Sequence, residues 1–447
     1  MGDGTATQER PVRGELLTLD VESLAYGGKG IARRNGFVVF VAGALPGDRV
    51  RAEVTRAKKG YAEASTREIV RESPDRVPPR CDHGGEPCPG APWQGLAYEE
   101  QLRHKHSQVA DALLRLGGLD GFELEPIEPA INQWRYRNKL EYSFGQREGE
   151  LVLGYHARGR WDLVVNAEDC QLASEHNNRV RNEVRDWARA ERLPAYDRRT
   201  GSGTLRNLVV REGRRTDRLQ SRLVTSAEEI PRPPVDLHTI VEGSGGGTDG
   251  PTGVLGAERL EEDLGGLRFR ISHDAFFQTN TEMAERLYAI AAEMAALRGG
   301  ERVFDLFCGI GTLGLTLAGR AGEVWGIEIV RDAIADAEEN ASINGIDNAH
   351  FRAGDARKEI RPLLDEAGTP DVVVVDPPRA GLSQKVVRRL IECDAPRIVY
   401  VSCNPTTLAP NAAQLSEAGY RVRRVRPVDM FPQTPHIECV ALLEKRA

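Results

Sequence analysis

The chain has 447 residues, a net charge of −7, 40% hydrophobic and 28% charged residues, which is a globular balance too long for one core, so two or three domains are expected. It contains no apolar stretch of ~18 residues and no charged-then-apolar leader, which argues against a membrane span or secretory signal and makes the cytoplasm the expected compartment, with a monomer the expected state. Seven cysteines, odd in number and widely spread, do not suit a disulfide framework and read as reduced thiols serving catalysis or metal binding.

Residues 10–80 hold 14 Lys and Arg against 9 Asp and Glu, a net +5 that leaves −12 for the remainder. That asymmetry fits an anion-binding module on an acidic body, and equally a locally basic surface with no partner. Short β-branched runs at Gly14–Val21, Gly27–Ala32, Phe37–Val41 and Asp48–Thr55, split by Gly27-Gly28 and Pro46-Gly47, predict a small barrel of the oligonucleotide-binding kind over 10–72. Lys29, Arg33, Arg34, Arg56, Lys58 and Lys59 are its candidate phosphate contacts. The Tyr26-Gly27-Gly28-Lys29-Gly30 turn and its flanks resemble a TRAM domain, an RNA-binding module of RNA-modifying enzymes.

A Pro-rich boundary at 73–79 opens a central region, 73–270, expected to recognise RNA. Cys81 and Cys88 lie in a Gly/Pro loop, and Cys170 follows far along the chain. Four thiolates are the usual complement for an iron–sulfur cube or a structural zinc, and Ala91, at the position of the expected fourth, cannot ligate. An iron–sulfur cluster therefore stays open, and the metal ligands unassigned. Helical spacing predicts a helix over 97–117 that packs on the catalytic domain. Trp134 to Lys139 mixes aromatics with cations, as a base-stacking segment would, or as a strand end with a solvated basic face. Alternation over 205–271, including Leu267-Arg268-Phe269, predicts an antiparallel sheet continuing this region, with a flexible loop at Ser244-Gly245-Gly246-Gly247.

From Glu301 onward, within a catalytic domain expected over 271–447, the pattern is that of a doubly wound α/β domain. Strands are predicted at Val303–Phe307, Glu323–Ile329, His350–Ala353, Val372–Val375, Arg397–Ser402, Tyr420–Val425 and Ile437–Leu443, the last two as a hairpin. Chemistry is then expected at the carboxyl ends of the strands. There, Asp305-Leu306-Phe307-Cys308-Gly309-Ile310-Gly311-Thr312-Leu313-Gly314 supplies a glycine turn, Glu328 is placed for ribose hydroxyls, and Asp355 for an adenine edge or a helix cap. A dinucleotide enzyme would share this turn. It would have no need of Asp376-Pro377-Pro378-Arg379 at one strand end and Cys403 at the next.

Cys403 and Glu438 offer a thiol and a carboxylate together. Uracil C5 is too weak a nucleophile to accept a methyl group unaided; a thiolate added at C6 makes it enolate-like, and a base must later remove the C5 proton. A 5-methylcytosine enzyme, an amino-methyltransferase and a non-catalytic RNA-binding protein are the alternatives, and Glu438 favours the C5 target.

Phe276-Phe277-Gln278-Thr279-Asn280, the Asp305 turn, Asp376-Pro377-Pro378-Arg379, Ser402-Cys403-Asn404-Pro405 and His436-Ile437-Glu438 together resemble the RNA uracil-5-methyltransferase family. The resemblance implies a class I S-adenosylmethionine-dependent methyltransferase fold carrying a TRAM barrel and a central, mostly antiparallel β domain. It implies cofactor contacts from Gln278, Phe307, Thr312, Glu328 and Asp376, a nucleophile at Cys403 and a base at Glu438. Gly309 of the glycine turn is a further candidate cofactor contact, and Asp376 could instead hold the uracil imide edge. The overall resemblance is to the ribosomal branch, which implies ribosomal rather than transfer RNA. That branch's cluster-bearing members have four cysteines, where this chain keeps three.

Overall fold

The computed structural model describes residues 10–446 apart from 82, 84–86, 227–229, 236–237, 243–247 and 255–257, with backbone alone over 238–242 and 248–254. The loop expected around Ser244-Gly245-Gly246-Gly247 lies outside the described residues.

The N-terminal strands close into a barrel ordered Leu16–Leu24, Gly30–Arg34, Phe37–Ala42, Tyr61–Arg71, Arg49–Ala57. Alternation turns Leu17, Leu19, Val21, Phe37, Val39 and Val41 inward. The sequence reading names four of these strands. The fifth, Tyr61–Arg71, pairs parallel with Phe37–Ala42 and antiparallel with Arg49–Ala57, and so removes both open edges. Its inward residues are Ala62 and Ala64, which carry little strand propensity, so its pattern is faint. Three of the six expected phosphate contacts are already paired: Lys29 with Glu63 at 2.8 Å, Arg33 with Glu22, and Arg34 with Glu15.

The central sheet has seven strands, ordered Thr248–Val254, His238–Glu242, Arg218–Thr225, Leu205–Gly213, Lys139–Arg147, Glu150–His156, Val164–Asn166, antiparallel except where Arg218–Thr225 meets His238–Glu242. Leu260–Leu264 and Leu267–Ile271 do not continue it, contrary to the sequence reading. They form a separate hairpin whose Leu260, Leu264, Phe269 and Ile271 pack into the catalytic core. The outer edge of that hairpin is held by helix Arg331–Ile343 and the residue after it: Arg270 N–H donates to Asn340 Oδ1 at 2.8 Å and Arg268 N–H to Asn344 Oδ1 at 2.9 Å.

All seven predicted catalytic strands are present, in a sheet ordered Ala349–Ala353, Glu323–Glu328, Arg302–Leu306, Val372–Val375, Arg397–Ser402, Glu438–Lys445, Tyr420–Val428. The first five are parallel, and Val372–Val375, with all four residues buried, is the apolar centre that such a sheet requires. Glu438–Lys445 slots antiparallel between Arg397–Ser402 and Tyr420–Val428. An eighth strand, Glu123–Leu124, adds to the Tyr420–Val428 edge from outside the predicted domain. Helix Tyr98–Asp111 runs on into a π-helical turn, Ala112–Leu116, and buries Val109, Ala112 and Leu113 in the same core. Among the described residues no helix is long and apolar enough to cross a membrane.

Candidate active site

The parallel strands bring their carboxyl ends to one rim, and the glycine turn after Arg302–Leu306 forms one half of it. Phe307, Gly309 and Gly311 all adopt left-handed backbone, with φ of 66°, 54° and 83°. At Phe307 that conformation costs on the order of 1 kcal/mol, the sort of strain that persists where surroundings over-determine it. Here Phe307 N–H donates to Ile327 O at 2.9 Å, Gly309 N–H to Glu328 Oε2 at 3.3 Å, and Val330 N–H to Glu328 Oε1 at 3.0 Å. Beneath the turn, buried Asp305 accepts from Gly314 N–H at 2.9 Å and so pins the first turn of helix Thr312–Ala318; burial pushes its carboxyl up to about 7. The Thr312 hydroxyl meets Tyr288 Oη at 3.1 Å. Gln278 is buried, and its side-chain amide has no hydrogen-bond partner among the described residues. Exposed Ile329 and Val330 follow Glu328, giving an apolar surface beside an acid.

Asp355 takes the capping role that its position allows. It accepts from Arg357 N–H at 2.9 Å at the start of helix Ala356–Ala367 and pairs with the Arg357 guanidinium, so its carboxylate is engaged by its own helix.

The other half of the rim follows from strand register. Ser402 pairs with Cys439 across antiparallel strands, so Cys403, one residue on, and Glu438, one residue back, leave the sheet side by side. Asp376 ends the next strand over, half-buried, with its carboxyl pushed up to about 7 by burial. Burial and then the Asp376 charge raise Glu438 well above the carboxylate range, against the opposing pull of Arg379. Burial, Glu438 and Asp376 push the Cys403 thiol up to about 12, so the resting group is the thiol. His436 is held neutral, pushed down to about 4 by burial and by Arg379.

The segment between Tyr420–Val428 and Glu438 is clamped from far away in the chain. Lys105, wholly buried, reaches Asp429 Oδ1 at 2.5 Å and Phe431 O at 3.0 Å. Tyr98 Oη donates to Asp429 Oδ2 at 2.9 Å, and Gln101 exchanges hydrogen bonds of 2.9 Å with the Gln433 side chain and N–H. Tyr136 Oη donates to Pro432 O at 3.1 Å. Tyr136 is therefore core rather than a base-stacking residue, and Arg135 is bound to Asp169 and to the carbonyls of Cys170 and Ala173. From the barrel, Tyr26 Oη donates to Cys403 O at 3.4 Å. The sequence reading assigns none of Tyr26, Tyr98, Gln101 or Lys105 to the site. Only the hydrophilic Gln101 and Lys105 on a core-facing helix stripe carry a signal that could have found them.

In the cysteine loop, ligand atoms of Cys81, His83 and Cys88 lie within 4.8 Å of one another. Cys170 shares their apolar cluster, its Sγ 3.3 Å from Tyr155 Oη, and Ala91 is fully buried there.

This chain matches the tRNA (uracil-5-)-methyltransferase family model over residues 257–446 and the TRAM domain model over 12–66. It is 37% identical to an uncharacterized RNA methyltransferase of Halalkalibacterium halodurans, covering 98% of this chain and 99% of the other. It is 38% identical to another from Bacteroides thetaiotaomicron, over 95% and 100%. The crystal structure of the Pyrococcus abyssi tRNA (uracil-54, C5)-methyltransferase in complex with S-adenosyl-L-homocysteine superposes with a TM-score of 0.79 at 28% identity, covering 96% of this chain and 100% of that one. The barrel, the doubly wound sheet and the rim define a class I S-adenosylmethionine-dependent methyltransferase fold with a TRAM domain. The chain belongs to the RNA (uracil-5-)-methyltransferase family.

Proposed function

We propose that this enzyme makes 5-methyluridine in RNA, with Cys403 as nucleophile and Glu438 as base. The observation that carries the reading is the Ser402–Cys439 register, which sets thiol and carboxylate side by side at one rim. S-adenosylmethionine, when bound, supplies an electrophilic methyl group. The residues present fit it: Glu328 and the left-handed turn at Phe307 and Gly309 offer a carboxylate and close backbone approach, and Gln278 presents an amide with no internal partner. Thr312 and Asp376 border the same space, and Asp355 would have to part from Arg357 to join them.

Cys403 first sheds its proton to the neighbouring Asp376 carboxylate, which leaves Glu438 free for the later step, and its sulfur bonds to uracil C6. The electron pair displaced to C5 forms the new C–CH₃ bond. Glu438 takes the C5 proton, the C6–S bond breaks, and the thiolate is restored. A paired uridine hides C6, so the substrate is a single-stranded loop or an extruded nucleotide. The reading includes an RNA-binding barrel over 10–72, an RNA-recognition domain over 73–270 and a catalytic domain beyond, with the 260–271 hairpin taken on the catalytic side.

Large-subunit ribosomal RNA is the proposed substrate, from the overall resemblance to the ribosomal branch. Transfer RNA is the second reading, favoured by the Pyrococcus abyssi structure. Incubating the enzyme with both RNAs and mapping 5-methyluridine decides between them, and absence of the product from both would overturn the function itself. The cysteine set does not fit a four-thiolate cube: Ala91 offers no ligand, and metal–sulfur bonds of ~2.3 Å put a single ion's ligands ~4 Å apart, a spacing compatible with Cys81, His83 and Cys88, whose ligand atoms lie within 4.8 Å of one another. No step runs through a cluster. Anaerobically purified protein is expected to carry substoichiometric iron or none, and four irons per chain by elemental analysis would contradict this.

A further inference from the structure

The barrel turn at Tyr26–Lys29 does not sit with the exposed cations of the barrel. It sits on the catalytic rim. The turn is closed by Ala25 N–H to Lys29 O at 2.8 Å and Gly28 N–H to Ala25 O at 2.9 Å, and Gly28 has φ of 86°. A Cβ on Gly28 would lie 2.9 Å from Trp93 Nε1 and 3.2 Å from Pro435, so the backbone is seated directly against the segment that leads to Glu438. Leu24 and Leu45 of the barrel bury themselves with Trp93 and Leu96, and Gln108 Nε2 donates to Leu24 O at 3.0 Å, which fixes the barrel to helix Tyr98–Asp111. That same helix clamps Asp429 and Gln433. The Tyr26 hydroxyl thereby reaches the Cys403 carbonyl, while the residue stays 38% exposed, unlike Tyr136, which serves packing and is fully buried. An aromatic side chain anchored at the thiol loop and left open on its other side has the form of a wall that a planar ring can pack against.

We infer that the pocket for the target base is completed in cis by the N-terminal barrel, with Tyr26 as the positioning residue that holds an extruded uracil against Cys403. This rests on the proposed uridine chemistry. It departs from a division in which the barrel supplies only affinity, because loss of a pocket wall lowers the rate at saturating RNA whereas loss of a phosphate contact lowers affinity. A base–aromatic contact of ~1–3 kcal/mol corresponds to roughly 5- to 150-fold.

Tyr26→Leu, Tyr26→Phe and Gly28→Ala test it. In single-turnover methylation at saturating RNA, Tyr26→Leu is expected to fall roughly 10- to 100-fold, and Tyr26→Phe, which keeps the ring and loses only the long hydrogen bond, by less than about 5-fold. RNA and S-adenosylmethionine affinities should stay within about two-fold. Gly28→Ala, which must lift the turn off Trp93, should reproduce the Leu signature. A change confined to RNA affinity, or an unchanged rate, overturns the inference. Alkylation of Cys403 by iodoacetamide reads the placement without any RNA: it should accelerate in Tyr26→Leu, and an unchanged rate overturns the placement. If the wild-type enzyme methylates no uridine, the proposed function fails, and the alkylation result still decides where Tyr26 stands.

Discussion

The two halves of the rim are built in opposite ways. The glycine turn is shaped by short-range hydrogen bonds within one strand–helix–strand unit, from Gly314 N–H to Asp305 and from Gly309 N–H to Glu328. Asn340 and Tyr288 of the flanking helices are added at Ile310 and Thr312. The Cys403–Glu438 half depends on Tyr26, Gln101, Lys105 and Tyr136, which lie about 300 residues or more away in the chain. A methyl-donor pocket can thus be carried as a portable module, whereas the base pocket exists only when barrel, central region and catalytic sheet are assembled together.

The sharpest test is to remove chemistry from one half and look for damage in the other. Cys403→Ala is expected to lower methyl transfer by at least ~10⁴-fold and to abolish covalent attachment to 5-fluorouridine RNA, whose fluorine blocks the final elimination, with S-adenosylmethionine affinity unchanged by calorimetry. Glu438→Gln should methylate C5 and stall, so that a protein–RNA adduct accumulates on a denaturing gel. Turnover at the normal rate in either variant would remove that residue from its proposed role.

The buried Lys105–Asp429 pair ties the base half to helix Tyr98–Asp111. Lys105→Met leaves Asp429 charged without its partner in a dry interior, which costs about 3–5 kcal/mol in denaturant unfolding, because one buried charge is worse than none. Lys105→Met with Asp429→Leu should recover most of that loss. If the two halves are separable, the single variant loses turnover at a temperature where cofactor affinity persists; parallel loss of both would show the halves to be one cooperative unit.

What the sequence made legible follows the same split. All seven catalytic strands were readable because each is a short apolar run between helical stretches, and the Asp305 turn announces itself by glycine spacing. Cys403 and Glu438 were readable as reactive types, and the reason they meet, a strand inserted antiparallel, shows only in the pairing. The hairpin at 260–271 was misplaced because alternation states that one face is buried without stating against what. Tyr136 looked like a base-stacking residue because an aromatic between cations has the same local sequence whether it faces RNA or Pro432. Long-range clamps leave no window signature at all.

A smaller effect is set by pH. The Asp376 carboxyl stands at about 7 in the folded protein against ~3.9 in an unfolded chain, so the folded state binds the extra proton between these values. Its contribution to stability is therefore full below pH ~4 and is lost as pH rises through 7. Because Asp376 is only half-buried, the discounted effect is about 1 kcal/mol. Asp376→Asn should raise Tm by roughly 1 °C at pH 8 and leave it unchanged at pH 4. An equal shift at both pH values would place the cause in packing.

The smallest expected effect separates the two uses of the barrel itself. Arg56, Lys58 and Lys59 are exposed and carry no ion pair among the described residues, whereas Lys29, Arg33 and Arg34 are tied to Glu63, Glu22 and Glu15. Only a cation free to displace counterions steepens the salt dependence of binding, by about 0.7 in log–log slope per phosphate on single-stranded RNA. Replacing Arg56, Lys58 and Lys59 together by Gln should flatten the slope by up to ~2 and leave the single-turnover rate at saturating RNA within about two-fold. The matching triple replacement at Lys29, Arg33 and Arg34 should flatten it by less, since each of those cations must first leave its carboxylate. An equal flattening in both triples would mean that RNA strips the internal pairs on binding, and that the exposed hairpin has no privileged place on the phosphate track.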